Sequence, residues 1–198
     1  MTFLRRLSPW GVFLLSFVLF ALSAAPSVGP GHDSGELTTA AYGLGVAHPP
    51  GYPFYVHSAH LWGLLLPGDY AWRINLFSVA LAAALLAWLV QRATGSQAAG
   101  WVAGLGFAGL RSVWNQAVVA EVFGLHLLLL SLLACLGYRA GQSLGRWLWA
   151  FYVVLGLAIA HHHTVVLALP GLLLMGILAM GKNFWRLLWT PAWVASLA

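Results

Sequence analysis

Six apolar segments recur along this chain of 198 residues: Pro9–Ala25, Arg73–Val90, Ala98–Leu110, Val113–Leu136, Trp147–Ala160 and Thr164–Met180. A helix needs roughly 20 residues to cross a hydrocarbon layer. Four of the segments approach that length, the third and fifth are shorter, and a seventh begins near Trp189. Hydrophobic residues make up 61% of the chain and charged residues 7%. A soluble domain carries about 25% charged residues, so a soluble fold is excluded. The expected fold is all-α: a polytopic transmembrane helical bundle of about six spans with the start of a seventh.

The net charge is +5, but the basic residues form no run and no nucleic-acid motif, so no nucleic-acid partner is expected. Their distribution is topological. With Arg5 and Arg6 on the cytoplasmic side, counting spans puts Arg92, Arg139, Arg146, Lys182 and Arg186 there too, and only Arg73 and Arg111 outside. Seven of nine basic residues then share one face. This predicts a multi-pass protein of the cell inner membrane with its N-terminus in the cytoplasm. Arg5-Arg6, the apolar stretch and Ser23-Ala24-Ala25 also mimic a signal peptide; the preferred reading is an uncleaved first span. The single Cys135 lies in an apolar segment, which leaves no disulfide within the chain and no thiolate metal site. Trp10, Trp62, Trp72, Trp101, Trp114, Trp147 and Trp189 fall near segment ends, as interfacial anchors do.

Only four carboxylates occur: Asp33, Glu36, Asp69 and Glu121. The same counting puts all four on the extracytoplasmic face, with Arg73, Arg111 and His161-His162-His163. Three of them lie in one long loop, 26–72, together with four of the eight histidines. Loops of more than about 15 residues in a compact protein tend to be functional. Within it, Thr38–Ala47 and Tyr52–Leu66 read as short helices in the interface plane, separated by His48-Pro49-Pro50-Gly51.

Asp33 and Glu36 have two compatible readings. Asp-x-x-Glu resembles a capping box, with Asp33 as N-cap and Glu36 returning to the N-cap amide. A well-held carboxylate is also what a general base requires. Two carboxylates could also bind a divalent cation through oxygen ligands but are too few alone, so the expectation is no cofactor, with a divalent cation as the weaker alternative. Three consecutive histidines on a helix point about 100° apart and cannot all face one ion. On a turn two of them could, so His161, His162 and His163 read as a polar helix end, as a cluster of which one binds a phosphate or sugar hydroxyl, or, least favoured, as a source of metal ligands. Glu121, about two turns into the fourth segment, needs a partner if buried. Arg111 or Arg73 would supply an ion pair, and a substrate contact is the alternative. Asp69, in Pro67-Gly68-Asp69-Tyr70, fits a turn.

Four blocks carry a resemblance: His32-Asp33-Ser34-Gly35-Glu36-Leu37; Ala41 to Val46 followed by Ala47-His48-Pro49-Pro50-Gly51-Tyr52-Pro53; Arg73-Ile74-Asn75-Leu76-Phe77-Ser78; and Trp114-Asn115-Gln116 through Ala120-Glu121-Val122-Phe123. Over roughly residues 10–180 the chain resembles the bacterial family called domain of unknown function 2723. That family is similar to luminal protein O-mannosyltransferases, which are polytopic glycosyltransferases of the GT-C architecture that use lipid-phosphate sugars. The resemblance implies a membrane glycosyltransferase with a polyprenyl-phosphate sugar donor and an extracytoplasmic acceptor, a protein Ser/Thr or a glycan. It implies that Asp33 is the catalytic base of an inverting transfer, with Glu36 beside it. His48, Tyr52, Arg73, Arg111, Glu121 and His161 to His163 are the candidate substrate-binding residues.

The family usually has more spans, and this chain ends in Trp193-Val194-Ala195-Ser196-Leu197-Ala198. A truncated product, an N-terminal module or half of a split enzyme is therefore expected, and an inactive fragment or assembly partner is the rival reading. A transporter would place polar residues deep in several spans, where mainly Ser131 and His126 occur.

Overall fold

The structure is a computed structural model that describes residues 2–30, 33–76, 79–142 and 145–181. These form ten α-helices and one 3-10 helix, with no strand among the described residues. In chain order the helices are α1 (Thr2–Ser23), α2 (Ser34–Gly43), α3 (Pro53–Gly63), α4 (Tyr70–Asn75), α5 (Val79–Thr94), α6 (Gln97–Gly109), α7 (Arg111–Ala117), α8 (Val122–Gln142) and α9 (Arg146–His161). The 3-10 helix His163–Ala168 and α10 (Leu169–Met180) follow. The all-α class is as expected. The seventh apolar segment near Trp189, with Lys182 and Arg186, lies outside the described residues.

Among the described residues one helix, α8, is long and apolar enough to cross a membrane, with a mean hydropathy of 1.7. Pro9–Ser23, Arg146–His161 and His163–Leu178 are apolar but shorter. The chain divides into two compact units, Met1–Leu128 and Leu129–Ala198.

In the first unit α1, α5 and α6 pack on one another. Val12 and Phe20 of α1, Ala83 and Ala87 of α5 and Ala108 of α6 are buried together, joined by Val113 and Ala117 of α7. Small residues let these backbones approach closely, as they do where helices associate in lipid. A Cβ at Gly104 would lie 2.8 Å from both Ala87 Cβ and Val12 Cγ1 and 2.9 Å from the Ala83 carbonyl oxygen.

The long loop folds into a small three-helix layer of α2, α3 and α4. The sequence boundaries need correcting here. The first short helix is Ser34–Gly43, not Thr38–Ala47, because Leu44 turns left-handed (φ 50°) and Gly45 N–H closes on the Ala40 carbonyl at 2.8 Å. The second is Pro53–Gly63, opened by Pro53 in its first turn, where its lack of an N–H costs nothing. Asp69 then caps α4, its Oδ1 accepting from Ala71 N–H (2.9 Å) and Trp72 N–H (3.3 Å). Arg73–Asn75 therefore belong to this layer rather than to the following apolar segment, whose helix, α5, starts at Val79. Trp62 Nε1 donates to the Arg73 carbonyl (2.8 Å), His60 Nδ1 meets the Ala41 carbonyl (2.8 Å), and the Tyr42 and Tyr70 rings meet edge to face.

The fourth apolar segment is also interrupted. Helix α7 stops at Ala117, and α8 starts at Val122. Between them, the Val118 carbonyl accepts from Ala25 N–H at 3.0 Å. Two β-branched residues, Val118 and Val119, favour leaving the helix there. Glu121 consequently sits just before α8, not two turns inside a helix.

In the second unit Gly137 of α8 faces α9 and α10. A Cβ there would lie 2.5 Å from Met175 Cε and 3.5 Å from a Phe151 ring carbon. The 3-10 helix joins α9 to α10 and contacts both.

Candidate functional site

Asp33 occupies the N-cap position of α2, half-buried, yet its side chain makes no capping hydrogen bond. Its backbone carbonyl starts the helix by accepting from Leu37 N–H at 2.8 Å. Ser34, the next residue, anchors the preceding segment, its Oγ accepting from Gly29 N–H at 3.3 Å. The Asp33 carboxylate is thus held at a helix start without being used to cap it.

The capping box expected of Glu36 is not formed. Glu36 reaches instead to His48, where Oε1 accepts from the His48 backbone N–H and Oε2 lies 3.2 Å from Nδ1. Charge-assisted contacts of this kind are about twice as strong as neutral ones, so a carboxylate offered the His48 imidazole and N–H prefers them to its own helix end. One ligand-type atom from each of Asp33, Glu36 and His48 lies within 4.8 Å of the others. This is one carboxylate more than a plain ion pair and three of the donors a divalent cation takes. Both Glu36 oxygens, however, are already engaged by His48.

The Pro49-Pro50 peptide is cis and Gly51 has φ 91°. Tyr52 lies in the left-handed region (φ 43°, ψ 49°) at the start of α3, only 7% exposed. That conformation costs an aromatic residue about 1–2 kcal/mol, and such strain concentrates at functional sites. The His48 and Tyr52 rings meet edge to face, 5.3 Å apart. Burial raises the Tyr52 pKa above the usual value for a phenol, and the charges of Asp33 and Glu121 push it the same way. One turn on, Tyr55 is fully buried; burial and then Glu121 raise its pKa too.

Glu121 therefore bears on Tyr52, as Asp33 does, and on Tyr55 as well. The reason is the seam between the segment after α1 and the α7–α8 link. Besides the Ala25–Val118 hydrogen bond, Gly29 lies so close to Val119 that a Cβ there would be 2.5 Å from Val119 Cγ1. Asn75 holds the same strand of chain by donating from Nδ2 to the Ala25 (2.9 Å) and Ser27 (3.2 Å) carbonyls. Asp33, Glu36, His48, Tyr52 and Glu121 belong to one constellation in the first unit.

Arg73 is disposed differently. Its guanidinium donates to the Gly63 carbonyl and to the Leu66 carbonyl (3.0 Å), and it lies over the Tyr70 ring at 5.3 Å. It closes the C-terminal end of α3. Arg111 is exposed at the start of α7.

The three histidines lie in the second unit and face different surroundings. His161 ends α9, fully buried. His162 caps the 3-10 helix: its Nδ1 accepts from Thr164 N–H (3.3 Å) and lies 2.7 Å from Thr164 Oγ1. His163 is exposed and stacks on His162. Burial, reinforced by His163, lowers the His162 pKa below the usual range.

Sequence reasoning missed Tyr55. A tyrosine in a half-apolar helix carries no signal of full burial, nor of feeling the charge of a carboxylate 66 positions away. It also missed the pairing of Glu36 with His48, although both were candidates.

A family profile described as the protein O-mannosyl-transferase TMEM260 N-terminal domain matches residues 33–185. The chain belongs to this family. Protein O-mannosyl-transferase TMEM260 of Mus musculus is 40% identical over 176 residues, covering 80% of this chain and 25% of the relative. The protein of the same name in Dictyostelium discoideum is 26% identical over 132 residues, covering 64% of this chain and 16% of the relative. The chain thus spans a quarter or less of the length of these curated relatives. No solved structure matches it. The family's matched region opens at Asp33 and takes in the whole candidate constellation.

Proposed function

We propose that this chain is the N-terminal portion of a polytopic membrane glycosyltransferase of the lipid-phosphate-sugar class, with Asp33 as its base. The observation that carries the reading is the half-buried Asp33 carboxylate, held at the start of α2 without a capping role, beside the Glu36–His48 pair and Tyr52. The names of the relatives favour O-mannosyl transfer.

In the proposed reaction the acceptor hydroxyl oxygen attacks the anomeric carbon of a polyprenyl-phosphate sugar. Asp33 takes the hydroxyl proton as the new C–O bond forms. The bond from the anomeric carbon to the phosphate oxygen breaks, and polyprenyl phosphate leaves with inversion. Glu36 fixes His48, and His48 with Tyr52 forms the wall against which the sugar is oriented. Glu121 is a second carboxylate on the Tyr52 side of the site. Within the first unit Arg111, exposed at the start of α7, is the candidate for receiving the phosphate, because a leaving anion needs cationic or hydrogen-bonding stabilisation. Arg73 serves the loop layer that carries the site. The apolar segments act as about six spans, with the site on the extracytoplasmic face of the cell inner membrane.

The test is transfer from labelled polyprenyl-phosphate mannose, with the glucose donor in parallel, by membranes carrying this chain and by membranes lacking it. Mannose transfer that depends on the chain supports the reading. No transfer by a folded chain, restored when the remaining part of the longer protein is supplied, supports an assembly part instead. That second reading is favoured by the small share of its relatives that the chain spans.

A further inference from the structure

In the second unit, two cations share one indole. The guanidinium carbons of Arg139, in the last turn of α8, and of Arg146, the first residue of α9, each lie 4.9 Å from the Trp147 ring centroid. The two charges are therefore no farther apart than twice that distance, which is about one Debye length at physiological salt. Residues 129–198 contain Arg139, Arg146, Lys182 and Arg186 and no Asp or Glu. No acidic side chain of this unit offsets the charge gathered at the α8–α9 turn. Arg146 is exposed, and Arg139 and Trp147 are half-buried, so the cluster reaches the surface of the unit.

An open groove of about 400 Å³ lies in the same unit, lined by Tyr138, Gly171, Leu174, Met175 and Leu178. Gly171 leaves it wide, and Leu174 and Leu178 are 57% and 75% exposed. Tyr138, on its wall, immediately precedes Arg139. A positive cluster that begins one residue along α8 from the wall of an apolar furrow matches an amphiphile with a negative head. Guanidinium groups pair with phosphate oxygens in a planar, two-pronged way. Indole rings settle at headgroup depth.

We propose that this corner binds an anionic phospholipid, its phosphate on Arg139 and Arg146 and an acyl chain in the α8–α10 groove. The charge and the groove together commit the site to a membrane lipid, since a free phosphate would use only the arginines. The proposal rests on the membrane reading above and not on the transfer chemistry.

The test reconstitutes the chain in nanodiscs of phosphatidylcholine mixed with phosphatidylglycerol and counts retained lipids by native mass spectrometry. The expected result is enrichment of phosphatidylglycerol over its bulk share. Arg139→Gln and Arg146→Gln should each lower that enrichment about fivefold, the worth of one basic residue at an anionic surface. Leu174→Trp, which fills the groove, should release the lipid while leaving helicity by circular dichroism unchanged. If Arg139→Gln fails to fold, Arg146→Gln, at an exposed position, carries the comparison. Lipids retained in their bulk ratio would overturn the proposal, as would a lipid-free dimer with a second copy in the groove. A chain that does not enter nanodiscs at all would overturn the membrane reading instead.

Discussion

Glu36 grips His48 at two points, the backbone N–H and the ring Nδ1, across twelve positions of the chain. This contact closes the loop between α2 and α3. It fixes the ring against which Tyr52 packs, and it keeps Glu36 beside Asp33. A contact of this kind on a half-exposed surface contributes little to stability, about 0–1 kcal/mol. Its value is positional.

Glu36→Gln separates the two roles. The amide keeps the size and one acceptor but loses the charge that draws the imidazole. Transfer is expected to fall about tenfold to a hundredfold, as misplacing a reacting group by an ångström does. Thermal stability should change by less than about 1 kcal/mol. Unchanged transfer kinetics in this variant would show that the grip does not serve the site.

The packing of α1, α5 and α6 turns on Gly104. Gly104→Ala would press a methyl group into Val12, Ala87 and the Ala83 carbonyl. It is expected to destabilise the chain by about 1–3 kcal/mol, the range for overpacking. Gly106→Ala is the control: nothing lies within 4 Å of its Cβ position, and in a helix interior it should be neutral or stabilising by up to about 1 kcal/mol. Denaturant unfolding of the two variants in detergent measures the difference.

Much of this was legible in the sequence, for identifiable reasons. Long apolar segments report helices because burial of a run needs no knowledge of its neighbours. Asp33 and Glu36 stood out because carboxylates are rare here, and Asp69 fitted a turn and caps α4. Helix edges in the loop were not legible, because Leu44 and Tyr52 adopt left-handed backbones that neither residue type signals. The capping box failed for Glu36 because a partner twelve residues away outbids a local one. The break before Glu121 depends on Ala25 reaching the Val118 carbonyl, a contact between segments more than ninety positions apart. Arg73 read as a substrate contact from its face alone, whereas its guanidinium is turned into the Gly63 and Leu66 carbonyls.

His162 makes the second unit sensitive to acid. Its Nδ1 accepts from Thr164, so protonating that nitrogen removes the cap of the 3-10 helix. Its folded pKa is depressed, while the unfolded value is about 6.5. The unfolded state then binds more protons between the two values, so stability rises with pH across that window. The contribution is present above about pH 6.5 and is lost as the pH falls through the folded pKa. Melting curves between pH 7.5 and pH 5 should show this loss in the native chain. His162→Asn, which retains an acceptor but does not titrate, should flatten it.

A chelator is expected to leave transfer intact. Glu36 is engaged on both oxygens by His48, and a cation would have to break that pair to gain three ligands. Transfer assayed with EDTA, and again after adding Mn²⁺ or Mg²⁺, checks this. Loss with EDTA and recovery with metal would recast Asp33, Glu36 and His48 as ligands.

The central claim is that Asp33 is the base, and Asp33→Asn tests it most directly. Asparagine keeps the shape and the helix start but cannot take up the acceptor proton. Sugar transfer from polyprenyl-phosphate mannose is measured beside the unmodified chain at equal membrane abundance. The account predicts a loss of at least about a hundredfold, as removal of a general base gives, with unchanged thermal stability. Transfer at the unmodified rate would contradict it.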